Sequence, residues 1–257
     1  IRNLPMIFEE RPFPGWATTR DNYWFNDDVI NCIIPIILNH YKRTDILYVE
    51  SWMYALVAAH QSENFVNFCD RYEAFNKDIL MITLNTQIEG GSHWMLGIII
   101  IKSREIILLD SLNNKYRNEQ FTVLRRMIFM AAASALVKLD ISTWRCIYAE
   151  DTVKQQNGYD CGLFVILYAY SVIRNEKFFS LPSRIGRRWI NYIGSYFDHE
   201  PIRTHHARIS AKTMIAIRDI IDEKGSELNS GIYVESSPVE NELLTFAEEL
   251  QNESNTC

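Results

Sequence analysis

Two rhythms of hydrophobic and polar positions run along this chain. Stretches near 27–41, 51–69, 118–139, 184–197 and 207–223 mix apolar and polar residues as amphipathic helices do. The stretch 162–174 is different, because Leu163 to Ala169 is apolar on every side, which predicts a buried helix. Short β-branched runs near 79–84, 94–101, 106–110 and 144–149 predict strands. The second and third of these enclose the polar break Lys102-Ser103-Arg104-Glu105 and read as a hairpin of core strands. Ser51 and Ser183 stand where helix caps belong. Pro35 should kink or end the first helix. No internal repeat is visible. Helices flanking a small sheet make an α+β fold.

The candidate chemistry lies where a polar, turn-prone segment meets the buried helix. Gln155-Gln156-Asn157-Gly158-Tyr159-Asp160 leads directly into Cys161 and Gly162. Asn-Gly favours a turn, since both residues tolerate positive φ. Cys161 should then stand at the amino end of a central helix, where unpaired N–H groups and the helix dipole favour an anion. A thiol so placed is a usable nucleophile, whereas a lone cysteine is more often a buried structural residue.

A nucleophile needs partners. His93 opens the first hairpin strand and Asp110 closes the second, so both fall toward its open end. Register counting sets Asp110 nearer Gly97 than His93, so contact between them requires a bulge, strong twist or long reach. Histidine is suited to move the thiol proton near neutral pH, and a carboxylate on its other nitrogen fixes the tautomer. Gln155, six residues before Cys161, offers an amide to a developing oxyanion. Gln156 is the second candidate for that role. Singly, each of these residues has an ordinary explanation; all four in this order do not.

Three blocks of the chain resemble the ubiquitin-like-protein proteases, the SUMO- or sentrin-specific cysteine proteases. They are Trp24-Phe25-Asn26-Asp27-Asp28-Val29-Ile30-Asn31, then His93-Trp94 with Asp110-Ser111 following, and the glutamine-to-glycine block at 155–162. Order and separation match the family over roughly residues 20–200. The resemblance implies a papain-like fold, with Cys161 as nucleophile, His93 as base and acid, Asp110 as its orienter and Gln155 as oxyanion donor. It also implies that Trp24 and Trp94 wall a narrow tunnel for a Gly-Gly tail, with Asp27 nearby in substrate binding. The implied partner is a ubiquitin-like modifier, SUMO by default, with its conjugates; the implied protein is a cytoplasmic or nuclear monomer without a cofactor. The chain departs from the family at Val153-Lys154, where a proline usually precedes the glutamines, and across Thr44 to Asp78, which reads as an insertion.

Length and charge add limits. A chain of 257 residues suits one large domain or two small ones, here taken as a catalytic unit at 1–224 and a tail at 225–257. No run of eighteen apolar residues and no signal-like amino end is seen, so neither membrane span nor signal peptide is expected. Five cysteines without metal-type spacing fit a reducing compartment, with Cys32, Cys69 and Cys146 in the core. The net charge is −6, but seven glutamates and no basic residue follow Lys224, which leaves the body at about +1. Nothing there predicts a nucleic-acid groove. Arg184, Arg187 and Arg188 read as a solvated helix face. His199, His205 and His206 fit no common metal spacing. In the tail, Ile232 to Ser237 looks like a SUMO-interacting strand, and Leu243, Phe246, Ala247 and Leu250 form a helical stripe.

The function expected from these readings is cleavage after the Gly-Gly end of a ubiquitin-like modifier. A viral or mobile-element polyprotein protease is the alternative enzyme, disfavoured by the paired tryptophans. An inactive modifier-binding relative is disfavoured by the complete Cys, His, Asp and Gln set. An acetyltransferase lacks its expected basic pocket.

Overall fold

The structure is a computed structural model and describes residues 15–86, 93–112 and 118–195. The predicted helix at 207–223 and both tail motifs lie outside the described residues. Five strands form one mixed sheet: β1 (Ile46–Val49), β2 (Ile79–Asn85), β3 (Trp94–Ile100), β4 (Glu105–Leu109) and β5 (Arg145–Tyr148), in that spatial order. The two outer pairings are parallel and the inner two antiparallel. Among the described residues six α-helices accompany it: α1 (Asp27–His40), α2 (Ser51–Ala58), α3 (Glu63–Arg71), α4 (Asn118–Ser134), α5 (Cys161–Arg174) and α6 (Ser183–Ser195).

Alternation along the strands divides the core into two layers. Met81, Leu96, Ile98 and Leu109 face α1, α5 and α6. Leu80, Ile82, Leu84, Met95, Ile99, Ile106 and Leu108 face α2, α3 and α4. Because both faces are covered, the strands read as continuous apolar runs. Helix α5 lies at the centre of the first layer, with every residue buried except Val172 and Arg174, as its all-round apolarity requires.

The helix ends depart from expectation. One helix over 51–69 is in fact two, α2 and α3, and α4 stops at Ser134 rather than 139. His60 and Leu136 take positive φ, 61° and 57°, just past the ends. There Gln61 N–H returns to the Leu56 carbonyl and Val137 N–H to that of Ala132, the reverse turn that glycine usually makes. Helix α1 runs through Pro35 to His40 rather than ending at it. Ser51 and Ser183 are first helical residues, not caps. Glu50 precedes Ser51 without a side-chain capping bond, and the Ser183 hydroxyl donates to Asp160. Strand β1 was not anticipated. It sits in the tract read as an insertion, pairs with β2 and makes that tract part of the sheet. Cys32 and Cys69 are buried, but Cys146 is only half-buried.

Candidate active site

The hairpin turn holds the key to the site. Ile100 pairs with Glu105 and Leu96 with Leu109, so the loop is 101–104 rather than 102–105. The register is therefore two residues away from the simple count. Continued outward, it sets Asp110 opposite Met95, diagonal to His93. Diagonal neighbours on one face are within reach of long side chains, and no bulge is needed. The His93 Nε2 and Asp110 Oδ1 atoms are 2.6 Å apart, both side chains being buried. Asp110 is itself fixed, because its carboxylate also accepts from Leu112 N–H at 2.8 Å and Tyr148 O–H at 3.3 Å.

With Nε2 committed to Asp110, the other ring nitrogen, Nδ1, is buried and makes no hydrogen bond. It remains available to the Cys161 thiol, which lies close enough to act on the imidazole. Burial lowers the basicity of His93. The hydrogen bond to Asp110 and the negative charges of Asp110 and Cys161 outweigh that effect and raise its pKa to about 9.

Cys161 is the first residue of α5. The carboxylate of the preceding Asp160 accepts no N–H of the first turn, since it accepts from Asn157, Ser183 and Arg187 instead. The N–H groups at the head of this long buried helix are thus left to an anionic sulfur or oxyanion. Gly162 is required by space. A Cβ there would come within 2.7 Å of the Phe25 Cβ. Phe25 joins the parts of the cleft: its carbonyl accepts the Trp94 indole N–H at 2.8 Å.

The 155–160 loop is held by side chains. The Asn157 Oδ1 accepts the N–H groups of Tyr159 and Asp160 at 3.1 and 3.0 Å, and its Nδ2 donates to Asp160 Oδ2 at 2.7 Å. Neither Asn157 nor Gly158 takes positive φ, so the turn is of the asparagine side-chain type rather than the backbone type expected. Gln155 is buried. Its Oε1 accepts from Ser111 Oγ at 2.5 Å and its Nε2 donates to the Asn157 carbonyl at 2.6 Å. Gln156 is exposed. Lys154, at the departure from the family pattern, donates to the Asp110 carbonyl at 2.8 Å and lies over the Tyr148 ring. Trp24 is 53% exposed, Trp94 half-buried, and Asp27 exposed at the head of α1.

One residue read as solvated is the most buried cation of the site. Arg187 is 1% exposed. It donates through Nε and Nη2 to Asp160 Oδ1 at 3.0 and 2.7 Å, while Arg184 is exposed as expected. The signal was present: Arg187 is three residues before the buried Ile190, on the apolar stripe of α6 rather than opposite it.

A cysteine at a helix head, a histidine beside it, and a carboxylate on the histidine's Nε2 make up the candidate site of a papain-like α+β scaffold. The chain belongs to the Ulp1 protease family, whose C-terminal catalytic domain it matches over residues 23–182. It is 28% identical over 170 residues to the putative ubiquitin-like-specific protease 1B of Arabidopsis thaliana, which covers 58% of this chain and 46% of that protein. Among solved structures it resembles the SUMO protease Ulp1 with its catalytic cysteine oxidised to a sulfonic acid. That match has a TM-score of 0.59 at 21% identity, over 70% of this chain and 80% of the other. It also resembles the C-terminal Ulp1 protease domain in complex with Smt3, the yeast ortholog of SUMO. Here the TM-score is 0.57 at 20% identity, over 70% and 79% of the two chains. The chain spans less than half the length of the curated relatives it matches. Among the described residues no helix is long and apolar enough to cross a membrane, and no His, Cys, Asp and Glu group is arranged to hold a metal.

Proposed function

We propose that this chain is a cysteine protease that cleaves after the C-terminal Gly-Gly of a ubiquitin-like modifier, SUMO being the first candidate, with the catalytic unit in residues 1–224. The observation that carries the reading is the commitment of the two His93 nitrogens, Nε2 to Asp110 at 2.6 Å and Nδ1 left for Cys161. In the reaction His93 carries the proton of the thiol, and the Cys161 sulfur attacks the glycine carbonyl as the thiolate. The oxyanion that forms faces the α5 N–H groups and the second amide hydrogen of Gln155. The imidazolium then protonates the departing amine, and water releases the acyl group by the same proton path. Family membership, and the Smt3 bound to the related Ulp1 domain, support a modifier as substrate. The exposed Trp24 and half-buried Trp94 suit a glycine tail, which has no side chain to exclude.

Electrophilic probes built on SUMO, ubiquitin and other modifiers test this reading. One of them should label Cys161 alone, and Cys161→Ser should abolish labelling and turnover while retaining modifier binding. Labelling of Cys32 or Cys257 with Cys161 silent would overturn the assignment.

A further inference from the structure

The carboxylate next to the nucleophile is not left as a bare charge. Asp160 precedes Cys161, is 3% exposed, and pairs with Arg187. Its Oδ1 also accepts from Ser183 Oγ at 2.9 Å, and its Oδ2 accepts from Asn157. The rest of the guanidinium is spent on backbone. Nη1 donates to the carbonyls of Arg20 at 2.7 Å and Thr18 at 3.4 Å; Nη2 donates to those of Tyr23 at 2.8 Å and Tyr159 at 3.2 Å. The plane lies over the Phe25 ring, 4.7 Å from its centre. One side chain therefore ties α6 to the segment leading into Trp24 and to the loop leading into Cys161. Only the planar, five-donor fork of arginine meets this many acceptors. So many partners exceed what neutralising one carboxylate requires.

We propose that Arg187 is a positioning residue of this active site, in two linked ways. Its fork fixes the Tyr23–Phe25 segment against the 155–160 loop, and its charge offsets the Asp160 carboxylate one residue from the sulfur. Without it, a buried anion would stand beside the nucleophile and oppose formation of a second one. With Arg187 but without Asp160, a cation would stand there instead and favour the thiolate. The other charged groups around the sulfur are His93 from the start of β3 and Asp110 from the end of β4. Tyr148 and Lys154 bond to Asp110, Tyr159 lies against Arg187, and Asp27 and Asp28 at the head of α1 are exposed.

Opposite signs make the test specific. The full chain is treated with iodoacetamide across pH, and modification of the Cys161 peptide is followed by mass spectrometry. This needs no substrate, so it is independent of the protease reading on which the role of the fork rests. Arg187→Gln is expected to move the alkylation midpoint up by about one pH unit and Asp160→Asn to move it down, while the double variant returns near the parent. A merely structural part would lower thermal stability in all three without opposed shifts. Arg187→Lys serves if Arg187→Gln does not fold. It keeps the charge and loses the fork, so the parent midpoint should persist while labelling by a modifier-based probe slows about tenfold. Coincident or same-direction midpoints in the folded single variants would overturn the charge role, as would a raised midpoint in Arg187→Lys. Undiminished probe labelling of Arg187→Lys would overturn the tie between the two segments.

Discussion

The indole N–H of Trp24 donates to the carbonyl oxygen of Gly158 at 2.9 Å, fastening an exposed aromatic ring to the loop that leads into Cys161. Gly158 has open space around its α-carbon, so the contact is made by backbone that no side chain screens. The bond fixes where the ring stands rather than contributing much to the fold. Trp24→Phe keeps an aromatic wall and loses the bond. KM for a full modifier should rise up to about tenfold, the worth of one hydrogen bond, with kcat nearly unchanged. Thermal unfolding should stay within about 0.5 kcal/mol of the parent. An unchanged KM would remove Trp24 from substrate binding.

Gln155 and Gln156 are neighbours with opposite surroundings. Gln155 is buried and oriented by Ser111, and only one of its two amide hydrogens is used on Asn157. Gln156 is exposed. Gln155→Ala should lower kcat by about 10²–10³ with little change in KM, and Gln156→Ala should stay within a few-fold. Ser111→Ala should give a smaller loss than Gln155→Ala, by freeing the amide to turn. Steady-state kinetics on one substrate ranks the three. A reversed order of the two glutamines would move the oxyanion role to Gln156.

Gly162 shows why the residue after Cys161 is fixed by packing. Alanine normally favours a helix over glycine by about 1 kcal/mol. Here its methyl would stand 2.7 Å from the Phe25 Cβ, and overpacking of that kind costs about 1–3 kcal/mol. Gly162→Ala is expected to lower stability on balance. It should also impair catalysis, because Phe25 carries the carbonyl that anchors Trp94. Unfolding and turnover measured together check this; a stabilised, fully active variant would show that Phe25 yields without consequence.

Strands β2 to β5 and the buried helix were legible because each rests on residue type and period, whereas β1 was not; the closeness of His93 and Asp110 at the open end of the hairpin was legible as well. Helix ends were not. Lys42, His60, Leu136 and Asn175 all take positive φ beyond helices, and only the asparagine is a residue that advertises this conformation. The two-residue register error came from the same source. Arg104 takes positive φ in the hairpin turn, and no Asn-Gly or Asp-Gly pair marks the turn. Arg187 is buried although its residue type points to solvent, because its place on the apolar stripe of α6 outweighs its charge. Its partners are far apart in sequence, at Thr18, Arg20, Tyr23 and Asp160, and only the fold brings them together.

The pH dependence follows from His93. Its folded pKa, about 9, lies above the ordinary histidine value near 6.5. The folded state therefore holds a proton that the unfolded chain releases between those values. That contribution to stability is complete below about pH 6.5 and is lost as pH rises through about 9. Thermal midpoints should fall across that window, and His93→Ala should lack that part of the fall. The same proton serves the leaving amine, so kcat/KM should decline on the alkaline side near pH 9. Asp110→Asn removes the carboxylate that holds the imidazolium, so both declines should move to lower pH. His93→Ala should cost more activity than Asp110→Asn, because the first removes the proton carrier and the second leaves it in place, less firmly oriented and with a lower proton affinity. Tm and kcat/KM profiles of the parent and Asp110→Asn, measured from pH 6 to 10, decide the matter. If Asp110→Asn leaves both declines where the parent has them, Asp110 does not set the proton affinity of His93, and the 2.6 Å contact between them would only hold the ring in place.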